Sequence, residues 1–90
     1  MGVLKITSST DAVKTGTMRI IAVRLVAGSD AASALLYDAS TASGDEFCKL
    51  SAPDANSVDK QWFGRNGFPI DTALSVTLSG TSPVLYVYYE

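Results

Sequence analysis

Histidine is absent from this sequence and Cys48 is its only cysteine, so few side chains are left to do covalent or acid–base chemistry. Without imidazole there is no Ser-His-Asp triad and no Cys-His pair, and a nucleophile would depend on lysine or carboxylate help. The same absences remove an intrachain disulfide, a His/Cys zinc site, a haem histidine and a cysteine-ligated iron–sulfur cluster. Cys48 alternates with Lys49 and keeps step with Leu50, which marks it as a buried, inert thiol. Asp45 and Glu46 are adjacent, so on a strand they would face opposite sides, unsuited to flanking one glycosidic bond.

Asp71-Thr72-Ala73 is similar to the Asp-Thr/Ser-Gly signature of dimeric retroviral-type aspartic proteases. Ala73 takes the place of the glycine that lets the backbone turn at the catalytic carboxylate, and no closing apolar-apolar-Gly segment with a helix follows. Asp71 therefore reads as a turn or strand-end residue. Asp30, Asp38, Asp45 and Asp54 lie in or beside expected loops. Oxygen-rich loops can hold calcium, but no EF-hand spacing is present, and solvated turn aspartates are the expectation. No catalytic residue, cofactor or metal site is assigned.

The aromatic residues carry more information. Trp62 and Phe63 stand with Arg65 and Phe68, and Tyr86, Tyr88 and Tyr89 crowd the C-terminus. On an alternating strand Leu85, Val87 and Tyr89 share one face while Tyr86 and Tyr88 share the other, so one small core cannot take both sets. Tyr, Trp and Arg are the usual anchors of protein interfaces. Trp62, Phe63, Arg65, Tyr86 and Tyr88 are accordingly the candidate protein-contact residues, with sugar stacking on the same rings as the alternative.

Strands must position these groups, because apolar residues recur at period two while the helical spacing is not sustained. Val3 to Thr7 is a short opener. Met18 to Ala27 is the longest strand, with Ile21, Val23 and Leu25 on one face and Ile20, Ala22, Arg24 and Val26 on the other. Ala34 to Asp38 follows the Gly28-Ser29-Asp30 turn, with a helix over Asp30 to Leu36 as the alternative. Phe47 to Leu50, Ser57 to Phe63 and extended Phe68 to Asp71 come next. Leu74, Val76 and Leu78 alternate with Ser75, Thr77 and Ser79, and Gly80 to Pro83 should join them to Val84–Tyr89 as a hairpin. About eight short strands result, an all-β fold of the antiparallel two-sheet β-sandwich or jelly-roll kind. Residues 1–17 are expected as an N-terminal strand or arm, with Met1 to Lys14 able to order on docking, and 18–90 as the single sandwich domain.

Ninety residues leave room for one core. A chain this short buries about 60 to 65% of its unfolded surface, so small domains usually recruit a disulfide, a metal or association. Association is the staple this composition leaves. A net charge of −2 with scattered lysines and arginines argues against nucleic acid. The N-terminus lacks a signal-type apolar region, no apolar run is long enough for a membrane helix, and Ile6 stands where a myristoylation motif wants Ser or Thr. A soluble protein without a membrane partner is expected.

The strings Ala27-Gly28-Ser29-Asp30-Ala31-Ala32, Leu36-Tyr37-Asp38, Ala42-Ser43-Gly44 and Leu78-Ser79-Gly80-Thr81-Ser82-Pro83, with the Val84–Tyr89 strand, together resemble small all-β virion proteins of tailed bacteriophages. The likeness runs from roughly Arg19 to Tyr89, and the segment Ser57 to Phe68 stands outside it. It implies a jelly-roll or sandwich domain, commonly a homotrimer, on the capsid surface as a decoration (cement) protein, made in the host cytoplasm. Its partner would be the major capsid protein or another virion protein. Tail, neck or fibre components and a carbohydrate-binding module are the alternatives.

Overall fold

The computed structural model describes residues 2–90; Met1, the first residue of the expected arm, lies outside the described residues. Nine strands form and no helix does among the described residues. They are β1 (Gly2–Ile6), β2 (Thr10–Thr15), β3 (Met18–Val26), β4 (Ala32–Asp38), β5 (Cys48–Ala52), β6 (Val58–Trp62), β7 (Phe68–Ile70), β8 (Ala73–Ser79) and β9 (Val84–Tyr89).

The antiparallel pairs nest inside one another: β1 with β9, β2 with β8, β3 with β6, and β4 with β5. They are the successive rungs of one long ribbon whose tip is the loop between β4 and β5. Rolling that ribbon up adds the pairs β3·β9 and β4·β8. The result is a sheet ordered β1-β9-β3-β6 (sheet A) facing one ordered β2-β8-β4-β5 (sheet B), which is jelly-roll winding. β7 continues the line of β6 along the first part of β3, so these two segments act as one interrupted edge strand.

This winding corrects the expected hairpin of β8 with β9. The strands lie in different sheets, and the connection through Gly80 to Pro83 crosses from one to the other. The crossover from β3 to β4 runs beside it. Gly80, at φ +119°, sits so close to the backbone of Ala31 and Ala32 that a Cβ would come within 2.6 Å of the Ala31 carbonyl oxygen. Gly28 likewise presses on the Thr81 and Ser82 carbonyls. Glycine is needed where the two crossovers touch.

Alternation puts Ile20, Leu25, Leu36, Leu74, Val76, Leu85 and Val87 between the sheets, each essentially without solvent exposure. The phase expected for β3 is corrected by a bulge. Ile20 pairs Tyr89 and Ala22 pairs Tyr88, so Ile21 is an extra residue. It becomes half-buried, while Met18, Ile20, Val23 and Leu25 all point inward. The expected alternative of a helix at Asp30 to Leu36 is replaced by β4. The segment set apart as residues 1–17 supplies β1 and β2, which edge sheets A and B. β2 was not legible as a strand: its register slips between Thr10 and Lys14, and Ala12 there has φ +48°.

The open side of the sandwich, between β5 and β6/β7, is closed by side chains. Phe47 stacks on Phe68 with centroids 4.3 Å apart, and Phe63 tilts against both at 6.2 and 5.7 Å. Asp59 of β6 accepts the backbone N–H of Ser51 of β5 at 2.9 Å, a second tie between the sheets. An edge amide satisfied in this way is not available to another strand.

Candidate protein-docking site

The two outer faces differ in chemistry. On sheet B one outward row is all serine, with Ser51, Ser33 and Ser79 side by side, and the next carries Lys49, Leu35 and Thr77, with no exposed large hydrophobic side chain among the described residues. One end of this face is roofed. Ser75 is fully buried, its hydroxyl accepting the Ala12 N–H at 2.9 Å and donating to the Ala39 carbonyl at 2.7 Å. Asp11 adds a tie by accepting the Ala42 N–H at 2.8 Å.

Sheet A presents three cross-strand rows instead. Register places Val3, Tyr88, Ala22 and Trp62 side by side in the first row, and Lys5, Tyr86, Arg24 and Lys60 in the second. Val84, Val26 and Val58 form the third. These rows carry three cations and no carboxylate, in a chain whose net charge is −2. Val3, Val58 and Trp62 are the large hydrophobic side chains left exposed among the described residues, and all three stand here. Trp62 is 69% exposed. Isolated apolar residues on a surface need no explanation, but a patch framed by charge marks an interaction site.

The local geometry is held by the strands rather than by loops. Arg24 lies over the Tyr86 ring at 4.8 Å from its centroid, which fixes a long side chain and leaves its charge at the surface. Ala22, the smallest side chain in its row, sits between Tyr88 and Trp62. The step it leaves is a groove of about 350 Å³ lined by Ala22, Val23, Arg24, Lys60, Gln61, Trp62 and Tyr88. Large flat walls, a short floor and a cation at the margin suit an apolar group carrying negative charge beside it.

A larger depression, about 470 Å³, opens at the end of the sheet beside Thr17, Arg19, Pro69, Asp71 and Glu90. Arg19 shares the lining with the two acidic residues Asp71 and Glu90, and none of the exposed apolar anchors lines it. The groove over Ala22 is the better site on chemistry, though the smaller one.

Of the candidate contact residues, Trp62, Tyr86 and Tyr88 meet on the outer face of sheet A. Phe63 does not join them: beyond the end of β6 it turns inward, part-buried with Phe47 and Phe68. Its backbone N–H donates to the Ile21 carbonyl at 2.8 Å, at the bulge that rotates the local chain. Arg65 is exposed in the Gly64–Gly67 turn between β6 and β7, apart from the rows. Lys5, Arg24 and Lys60 were missed. No sequence signal placed them together, since they sit on three strands far apart in the chain.

The residues considered for chemistry are dispersed. Asp45 and Glu46 are exposed in the loop between β4 and β5. Asp71 is exposed, and its backbone N–H donates to the Asp38 carboxylate at 3.1 Å, as does that of Thr72 at 3.0 Å. Burial raises the Asp38 pKa, but the N–H groups of Thr72, Asp71 and Ala73 outweigh it and hold the value below the usual carboxylate range. Asp38 thus locks the turn into β8. Cys48 is buried, and desolvation, helped by the Asp59 charge, pushes its thiol up to about 11.

Neither protein-family models nor curated proteins give a match to this chain.

Proposed function

We propose that this chain is a non-enzymatic structural module that binds other protein chains through the outer face of sheet A. The observation that carries the reading is the concentration of the exposed hydrophobic side chains and three unopposed cations on one rigid sheet face. Residues fixed on strands lose little freedom on docking, so their buried area converts efficiently into affinity.

The setting we propose is a tailed-phage virion, on the likeness of the turn strings set out above, with the major capsid lattice as the surface bound. In that role the mechanism is mass action. A protein that binds only the assembled lattice stabilises it by the free energy of its own binding. Jelly-roll winding and free edges at β1 and β2 accord with an assembly component, and self-association as a trimer would cover some of these edges. A tail, neck or fibre position would use the same face on a different partner.

Co-sedimentation with expanded empty capsids of the tailed phage proposed as the source tests the reading. The wild-type chain should pellet with capsids, and the Trp62→Ser/Tyr88→Ser double variant should stay in the supernatant. A second reading has one specific observation behind it: an exposed indole with a tyrosine beside it can also stack on sugar rings. Titrating neutral oligosaccharides against Trp62 fluorescence separates the two.

A further inference from the structure

The geometry points to a specific occupant for this face: an extended segment of a partner protein with a bulky apolar residue, a carboxylate and a second apolar residue at alternate positions. The inference rests on the docking reading above and names the ligand chemistry of the same site.

The argument begins with spacing. Residues i and i+2 of a strand are about 7 Å apart, so the three rows of sheet A follow one another along β3 at that interval. Along the floor lie Ala22, Arg24 and Val26, in the order apolar, cationic, apolar. The β6 wall repeats the order with Trp62, Lys60 and Val58, while the β9 wall is Tyr88, Tyr86 and Val84, with the cation Lys5 of β1 beyond Tyr86 in the middle row. An extended chain laid along this trough has the same 7 Å repeat. Its alternate side chains meet the aromatic groove, then the cations, then the valine row.

Charge decides what the middle side chain must be. Lys5, Arg24 and Lys60 share the middle row without a carboxylate among them, and Arg24 is held against Tyr86 rather than neutralised. Docking an uncharged or basic group would desolvate these cations without return, whereas a Glu or Asp would form charge-assisted hydrogen bonds with them. The same feature argues against a second copy packed face to face, which would set cationic rows against each other. The groove over Ala22 includes the Gln61 amide and the Tyr88 hydroxyl, but the valine row beyond the cations offers ring hydroxyls no side-chain partner, which favours a peptide with a second apolar residue over an acidic sugar.

The sole tryptophan of the chain is a wall of the groove, so its emission reports occupancy directly. The probes are two blocked Ser/Thr-rich peptides free of tryptophan and tyrosine, one containing Phe-Thr-Glu-Thr-Val and the other Phe-Thr-Lys-Thr-Val. The Glu peptide should shift Trp62 emission to the blue and bind about tenfold or more tighter than the Lys peptide, with the difference shrinking in salt. Arg24→Glu/Lys60→Glu should invert the preference. Lys60→Glu alone, an exposed change on an edge strand, should reduce it even if the double variant fails to fold. Equal responses to the two peptides, or a preference untouched by Lys60→Glu, would overturn the inference. So would emission that moves with a polygalacturonate oligosaccharide and with neither peptide. Should capsid binding be lost in the Trp62→Ser/Tyr88→Ser chain while the peptides are not discriminated, the ligand pattern falls and the docking reading stands. Discrimination of the peptides without any capsid binding has the reverse meaning.

Discussion

Asp38 at the end of β4 accepts the backbone N–H of Thr72 with one carboxylate oxygen and that of Asp71 with the other, at 3.0 and 3.1 Å. One side chain thereby fixes the turn through which the chain leaves sheet A at β7 and enters sheet B at β8. Asp38→Ala should cost about 1–2 kcal/mol near neutral pH, in the range for lost hydrogen bonds to a charged group. Because the folded pKa lies below the usual 3.8, this stabilisation is present above that value and disappears as pH falls through the lower folded value. Urea unfolding of wild type and variant should therefore show midpoints well separated at pH 7 and converging in strong acid.

Ser75 is the buried polar residue of the sandwich, and its hydroxyl serves a donor on β2 and an acceptor after β4. Ser75→Ala strands both the Ala12 N–H and the Ala39 carbonyl. A loss of about 2–3 kcal/mol is expected. Hydrogen exchange should show the β2 amides losing protection first, since β2 is an edge strand with a slipped register.

Cys48 should behave as a reporter of unfolding. With its thiol at about 11, the thiolate fraction at pH 8 is about a hundredfold below that of an ordinary cysteine, and burial blocks access besides. Labelling by iodoacetamide should be slow in buffer and rapid in urea. The sign for stability follows from the raised value: the contribution is whole below the ordinary cysteine pKa and is lost as pH rises through about 11.

Strand alternation made much of this architecture readable in advance. Leu74, Val76, Leu85 and Val87 are buried as their period requires, and Tyr86 and Tyr88 point away from them. The partner of each strand was not readable, because Gly80-Thr81-Ser82-Pro83 would serve a hairpin as well as a crossover between sheets. Only the pairing of β8 with β4 and of β9 with β3 decides between them. The bulge at Ile21 hid the phase of β3, whereas the inward side of Phe63 follows from alternation, which sets it on the face opposite its neighbour Trp62. The cationic row of Lys5, Arg24 and Lys60 could not be foreseen: it exists only once sheet order is known.

Trp62 should be dispensable for folding. At 69% exposure on an edge strand it buries little, so Trp62→Ser should change stability by no more than about 0.5 kcal/mol, within the range of ordinary surface substitutions. Thermal melts of this variant and of Tyr88→Ser would show whether the aromatic wall is there for stability. A large destabilisation would assign Trp62 to packing rather than to docking.

The most direct measurement compares the two outer faces in one capsid co-sedimentation assay. Wild type, a sheet A variant (Trp62→Ser/Tyr88→Ser) and a sheet B variant (Ser33→Lys/Thr77→Lys) would be mixed with expanded empty capsids of the tailed phage proposed as the source at matched concentrations. Docking through sheet A predicts that wild type and the sheet B variant pellet alike, while the sheet A variant binds about tenfold or more weakly. A sheet A variant that pellets like wild type, with binding lost in the sheet B variant, would contradict the account and move the interface to the other face.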